Sequence, residues 1–406
     1  MTSFAFNRLT LGLTLAGMAG LTQAAGFALI EQNASGLGNA YAGQAAVAAD
    51  ASTIFFNPAG MTMLPDRQVV MAGHLIKPQA EFSGSSNIGG GDGGDAGGLA
   101  IVPNAYIAYR LTPDIHVGVG MNAPFGLKTE YDSTWAGRTQ GVKSEMKTIN
   151  LNPSIALKVS PTLSLGAGLS VQYAEATLTS RTGAAPTAGL LTVKGDDFGW
   201  GFNLGALWQL NPATRIGLAY RSEVDQKLDG NVAGVSPSPI PATASVTLPD
   251  SASLSVLYKL NNKLELLADI TWTGWSDFDE LRVLRKSDGS TFGTATEENW
   301  KDSYRYSVGA NYRMNDKLTV RGGVAYDETP VSNDIYRTVR IPDQSRTWLA
   351  VGAQYRLSDK SSLDFGYAHL FVKDARIPNR NESGVVLNGK YEASVDILSA
   401  QLTHNF

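Results

Sequence analysis

The feature that most limits what this chain can fold into is a set of long segments that alternate apolar and polar residues with a period of two. In 317–327 one face reads Leu318, Val320, Gly322, Val324 and Tyr326. The other reads Thr319, Arg321, Gly323, Ala325 and Asp327. In 262–273, Leu264, Leu266, Ala268, Ile270 and Trp272 oppose Glu265, Asp269, Thr271 and Thr273. In 303–313, Tyr304, Tyr306, Val308, Ala310 and Tyr312 oppose Arg305, Ser307, Gly309, Asn311 and Arg313. Successive side chains of a strand point to opposite faces, so each segment is a strand with one apolar and one polar side.

A soluble sandwich gives this pattern as well, and three further signs separate it from a membrane barrel. The strands are long, roughly 10 to 18 residues against a usual five or six. Aromatic residues sit near strand ends, where membrane-interface girdles need them. The chain closes with Leu398, Ala400, Leu402, His404 and Phe406 on one face and Gln401, Thr403 and Asn405 on the other. A last strand ending in Phe resembles the signal read by the barrel assembly machinery, an expected partner.

The N-terminus reads as an export signal over 1–24. Arg8 precedes the apolar run 9–21, and Thr22-Gln23-Ala24 forms a small-x-small cleavage site. Beyond Ala25 no run of 18 apolar residues exists, which excludes a helical membrane protein. Only 17% of the 406 residues are charged, where about 25% is usual for a soluble domain. A net charge of −4 offers no basic surface for nucleic acid. The absence of Cys excludes a disulfide framework, a thiolate metal site and a Cys nucleophile. His74, His116, His369 and His404 lie far apart, so no metal-ligand spacing and no cofactor is implied.

Tight polar turns recur at Leu111-Thr112-Pro113-Asp114, Ser160-Pro161-Thr162, Leu210-Asn211-Pro212, 260–263, 314–317 and 357–360. Longer segments rich in Gly, Pro and Ser fall between them, at 83–98, 125–141, 181–191, 231–241, 285–296, 330–342 and 375–389. Short turns at one end and long loops at the other match the periplasmic and extracellular ends of an outer-membrane barrel. Six turns and seven loops make fourteen strands, an even number that closes without an edge in lipid. The expected fold is therefore all-β, a 14-stranded antiparallel transmembrane β-barrel over 67–406, in an outer membrane of the Gram-negative type.

Residues 26–64 break the alternation. They are rich in Ala and Gly, and they contain 35–43 and then Asn57-Pro58-Ala59-Gly60. Low charge, with Phe27, Leu29, Ile30, Leu37, Tyr41 and Phe55, argues against a disordered tail. This predicts a plug over 25–66 inside the lumen. Inward charges such as Glu265, Asp269, Arg305, Arg321 and Asp364 would bond it or hold water.

Taken together, these pieces resemble the outer-membrane long-chain fatty-acid transporter (FadL) family. The resemblance rests on Ala25-Gly26-Phe27, Ser35-Gly36-Leu37-Gly38, the hatch motif Asn57-Pro58-Ala59, and Tyr220-Arg221-Ser222-Glu223-Val224. Leu248-Pro249, Trp272-Thr273-Gly274-Trp275-Ser276, Lys301-Asp302-Ser303-Tyr304-Arg305 and 341–348 complete it. It implies a monomeric fourteen-stranded barrel with an N-terminal hatch, set among outer-membrane lipid and lipopolysaccharide. It also implies passive uptake of long-chain fatty acids, with lateral exit through a kink in the third strand. That strand should start near Ile115, and Asn122, Pro124 and Gly126 mark the candidate kink, because Pro removes a ladder donor and Gly weakens pairing. By motif, Lys301 and Arg181 are the candidate contacts for a ligand carboxylate. The loop 181–191 is shorter than in familiar members, which bears on chain-length preference.

Other readings compete. The same fold could carry aromatic or alkane hydrocarbons. A general porin would lack a forty-residue hatch. A lipase needs a Ser–His pair, yet no G-x-S-x-G motif marks a nucleophile. The run 89–95, rich in Gly and Asp, hints at calcium but reads more simply as an extracellular loop.

Overall fold

A computed structural model describes residues 26–382 and 384–406. The export signal expected over 1–24 lies outside the described residues. Fourteen antiparallel staves form one closed wall. They are β1 (Arg67–Ser86), β2 (Ala100–Arg110), β3 (Ile115–Asn122, resuming as Gly126–Glu130), β4 (Lys143–Lys158) and β5 (Leu163–Arg181). Next come β6 (Leu190–Gln209), β7 (Thr214–Arg221 and Val224–Ala233), β8 (Ile240–Leu248 and Ser251–Lys259) and β9 (Leu264–Thr273). The wall ends with β10 (Ser303–Arg313), β11 (Leu318–Asp327), β12 (Arg346–Arg356), β13 (Ser361–Val372 and Ala375–Glu382) and β14 (Val385–Asn405). Closure is made by β1 against β14, in register from Gln68 opposite Asn405 to Ser86 opposite Leu387.

The two faces of each strand sort as the period-two pattern requires. Leu266, Ile270, Val324, Leu398 and Leu402 are exposed, while Leu267, Ala325, Asp327 and Gln401 are buried. Exposed aromatics form two belts. Tyr109, Trp208, Tyr258, Tyr312, Tyr355 and Phe406 lie beside the short turns, and Trp200, Phe202, Tyr304, Tyr306 and Tyr367 lie further up the wall. Amphipathic rings belong at such interfaces. Lipid-facing leucines thus appear as exposed surface because the membrane is their solvent.

Two loop expectations need correction. The segment 375–389 is a hairpin, with β13 extending to Glu382, β14 starting at Val385 and a register shift between Ile377 and Arg380. Polar residues there, such as Arg376 and Asn388, face outward to water above the membrane, while Ala375, Ile377 and Leu387 are buried inward, so pairing persists without an apolar lipid-facing side. The long connection expected at 285–296 instead spans 274–302, with short strand pieces inside it.

Residues 26–64 fold into three single turns, α1 (Ala34–Leu37), α2 (Gln44–Val47) and α3 (Thr53–Phe56), followed by a 3-10 turn Pro58–Met63. Ala34, Leu37, Ala40, Ala42, Ala46, Ile54, Ala59 and Met61 are fully buried. The bonds from this segment reach inward-facing groups around the wall. Ala34 N donates to Gln401 Oε1 at 3.0 Å, Ala45 N to Ser255 Oγ at 3.1 Å and Ala51 N to Gln68 Oε1 at 2.7 Å. Arg305 Nη2 donates to Ala40 O at 2.7 Å and Arg215 Nη1 to Val47 O at 3.0 Å. Isolated helical turns of four residues are unstable in water; here the wall satisfies their backbone groups. Close approach needs glycine in the wall. A Cβ on Gly217 would lie 1.9 Å from Ala45 O, and one on Gly205 would lie 2.0 Å from Asn57 Oδ1.

Candidate functional site

The third stave breaks where the sequence changes character. Residues 123–125 leave the strand, and pairing with β4 moves from Asn122 opposite Asn150 to Gly126 opposite Lys147. Three residues on one side (123–125) stand opposite two on the other (148–149), the one-residue excess of a bulge. The β2–β3 ladder stops at Ala105 opposite Met121, although β2 continues to Ala100. The N-terminal residues supply partners to this broken edge. Leu29 N donates to Pro124 O at 2.7 Å, Gly126 N donates to Phe27 O at 2.8 Å, and Ala28 faces Phe125 in an antiparallel bridge.

Pairing at the break carries Phe27 into an aromatic cage. Its ring centroid lies 4.7 Å from Trp275, 5.7 Å from Phe278, 5.8 Å from Trp300 and 6.2 Å from Phe125. Edge and tilted contacts of this kind add about 0.5–1.5 kcal/mol per pair beyond area burial. Above the cage, Trp300 Nε1 donates to Glu298 Oε2 at 3.1 Å. Glu298 is buried in the 274–302 connection, and desolvation pushes its carboxyl up to about 8 despite nearby Arg380.

Below the cage lies a cavity of about 140 Å³. Ala28, Leu29, Ile30, Tyr41, Phe55 and Phe56 line it from the N-terminal segment, and Pro124, Phe125 and Trp275 line it from the wall. Breaks in β7 at 222–223 and in β8 at 249–250 adjoin it, through Arg221, Pro249 and Ser251. Four charged side chains among the lining residues are Arg221, Asp269, Arg305 and Asp327, the last directly opposite Arg305 in the β10–β11 ladder. Arg221 stacks over Phe55, 4.2 Å from the ring centre, and donates to Phe55 O and Ser170 Oγ at 3.0 Å each. Asp269 accepts from Ser255 and Thr271. Arg305 lies 5.0 Å from the centre of the Trp348 ring. Beside the cavity, Glu31 is 2% exposed, and burial pushes its carboxyl up to about 7 against the pull of Arg305 and Arg346.

The residues singled out from sequence fall in three places. Asn122, Pro124 and Gly126 stand at the break of β3, and Pro124 lines the cavity. Asn57 caps the 3-10 turn by accepting from Ala59 N at 3.1 Å. Its amide donates to Ala45 O at 2.6 Å and to Ala206 O at 3.0 Å, while Pro58 and Ala59 are buried beneath it. Lys301 is exposed next to the cage residue Trp300, with its backbone N–H bonded to Pro330 O. Arg181 spans loops, donating to Ser133 O at 3.2 Å and Ala188 O at 2.9 Å. Neither cation lines the cavity. Asp95, from the glycine-rich run, accepts from Ala80 N and Gly97 N, both at 2.9 Å.

Sequence reasoning passed over Glu31, Trp275 and Arg221 as site residues. Their signal was present: an acid in an apolar leader, an aromatic beyond the end of β9, and a cation on the inward face of a spanning strand. It also gave no place to a Ser–His contact, His74 Nδ1 to Ser399 Oγ at 2.6 Å. Both residues are at most 1% exposed and neither borders the cavity.

A closed barrel with a lipid-facing apolar band, its lumen filled by its own leading segment around an apolar cavity, defines an outer-membrane transport protein for hydrophobic substrates. The chain belongs to the family described as outer membrane protein transport protein (OMPP1/FadL/TodX), whose model matches residues 15–406. It is 34% identical to the 47 kDa outer membrane protein of Pasteurella multocida, over 99% of each chain. It is 30% identical to the long-chain fatty acid transport protein of Escherichia coli O6:H1, over 90% of this chain and 91% of the relative. Among solved structures, a Pseudomonas aeruginosa FadL homologue superposes with a TM-score of 0.87 at 26% identity, covering 94% of this chain and all of that one. The Ralstonia pickettii toluene transporter TbuX shares the fold at 19% identity, with a TM-score of 0.68 over 93% of this chain and all of that one.

Proposed function

We propose that this protein imports long-chain fatty acids by passive, ligand-gated diffusion and releases them sideways through its wall. The observation that carries the reading is the cavity itself, apolar on most sides, with Arg221 and Arg305 beside Asp269 and Asp327 in its lining, and ending at the break in β3. Burying a tail of about sixteen carbons gains on the order of 10 kcal/mol before entropy losses, which suffices for capture without an energy source. Residues 25–66 act as the hatch and 67–406 as the barrel, working as a single chain. Release requires residues 27–29 to leave Pro124 and Gly126, which frees the edge of β3 toward lipid. Lys301 and Arg181 serve at the extracellular rim, steering the acid headgroup before it is buried. Lipopolysaccharide surrounds the outer aromatic belt, and Phe406 is read by the assembly machinery.

A second reading, uptake of neutral aromatic or alkane hydrocarbons, is favoured by one observation. A volume of about 140 Å³ matches cavities that hold a single benzene ring. A long acid needs the hatch to yield; a small ring does not. Uptake of labelled oleate and labelled toluene by cells with and without the protein separates the two. Protein-dependent oleate uptake is expected; toluene uptake alone would replace the first reading with the second.

A further inference from the structure

The guanidinium of Arg305 is 6% exposed and lines the cavity. One of its nitrogens, Nη2, bonds Ala40 O. Among the described residues, Nε and Nη1 have no hydrogen-bond partner. A buried guanidinium left with unmet donors is costly, and its fork geometry matches a carboxylate. Glu31 presents the complementary lack. It is buried within the electrostatic reach of Arg305 and Arg346, with Asp327 also near, and its Oε2 has no partner among the described residues. Glu31 follows Leu29 and Ile30, which line the same cavity, and Leu29 is bonded to Pro124 at the break of β3.

We propose that Arg305 is the anion subsite of the cavity, taking the carboxylate of an acid ligand, and that Glu31 is the resident counter-charge this carboxylate replaces. The inference rests on the fatty-acid reading and deepens it. A ligand headgroup that engages Arg305 removes the electrostatic hold on Glu31, which lies two residues beyond the segment 27–29 that pairs with the break of β3 and closes the wall. Acid ligands therefore loosen the gate in a way that neutral ligands of equal length cannot. Lys301 and Arg181 lie outside this step.

The test uses the purified full-length protein in detergent, titrated with oleate and with oleyl alcohol and followed by calorimetry. Losing a charge-assisted pair should cost Arg305→Met about tenfold or more in oleate affinity, with oleyl alcohol within about twofold. Arg305→Lys should recover part of that loss, and Glu31→Gln should tighten oleate binding by removing the competitor. Heat-modifiable migration of each variant establishes that the barrel is folded. Equal losses for acid and alcohol in Arg305→Met, or no loss for either, overturn the subsite while leaving the fatty-acid reading standing. A wild-type protein that binds oleyl alcohol but not oleate overturns both.

Discussion

The segment 26–64 divides the lumen into two chambers of opposite character. The one toward the loops is the cavity of about 140 Å³, walled by Leu29, Ile30, Phe55, Phe56, Phe125 and Trp275. The one toward the short turns is larger, about 750 Å³, and is lined by Arg215, Lys259, Lys263, Arg313 and Arg321 with Asp50 and Glu265. A methylene gains about 0.8 kcal/mol in the first chamber and nothing in the second, where water solvates the charges. An apolar solute that arrives in the upper chamber therefore has no downhill path through the floor. The break in β3 borders the upper chamber, so the contrast itself favours exit through the wall.

The contrast depends on the hatch staying seated, and the wall glycines are its most sensitive support. Gly217→Val places carbon where Ala45 O now sits. Overpacking of that kind costs about 1–3 kcal/mol, so open events in planar bilayers should become roughly ten- to a hundredfold more frequent. A bilayer as silent as with wild type would show that the chambers are not separated by this contact. Next in size, Trp275→Ala removes a face shared by the cage and the cavity. Affinity for oleate and for toluene should fall together by about tenfold in calorimetry; loss for one alone would mean that the two ligands use different walls.

A smaller effect is expected at the rim. Lys301→Ala should slow oleate association about two- to fivefold in stopped-flow mixing at low salt and leave toluene unchanged, since exposed charges act on encounter more than on residence. Equal slowing of both would remove its steering role. The smallest effect is a titration. Glu298 moves from an ordinary 4.5 to about 8 on burial, so its neutral form favours the packed loop. That contribution is complete below about pH 4.5 and is lost as pH rises through about 8. Emission from Trp300 should follow this window, and Glu298→Gln should flatten it.

Much of the wall was legible in the sequence because lipid outside and water or hatch inside impose opposite chemistry on alternate residues. Leu264 to Trp272 and Tyr304 to Tyr312 declare their faces without tertiary information. The hairpin 375–389 was misread because its outward face meets water and is polar, while Ala375, Ile377 and Leu387 on the other face are buried beneath the loops, the reverse of the lipid-facing pattern. Candidate contacts at Lys301 and Arg181 came from motif position, which marks a place along the chain but not a depth in the lumen. Arg305 shows the difference: four residues after Lys301 on the same motif, it faces inward and lies against Trp348. The cage around Phe27 joins residues 27, 125, 275, 278 and 300, and only the closed wall brings such distant positions together.

The central claim is that residues 27–29 close the wall at the break of β3 and must leave for transport. The chain has no cysteine, so Ala28→Cys with Phe125→Cys introduces a single defined pair across the Ala28–Phe125 bridge. The account predicts that cells carrying the oxidised pair take up no more labelled oleate than cells lacking the protein, and that reduction restores uptake. Full uptake with the disulfide formed would contradict it.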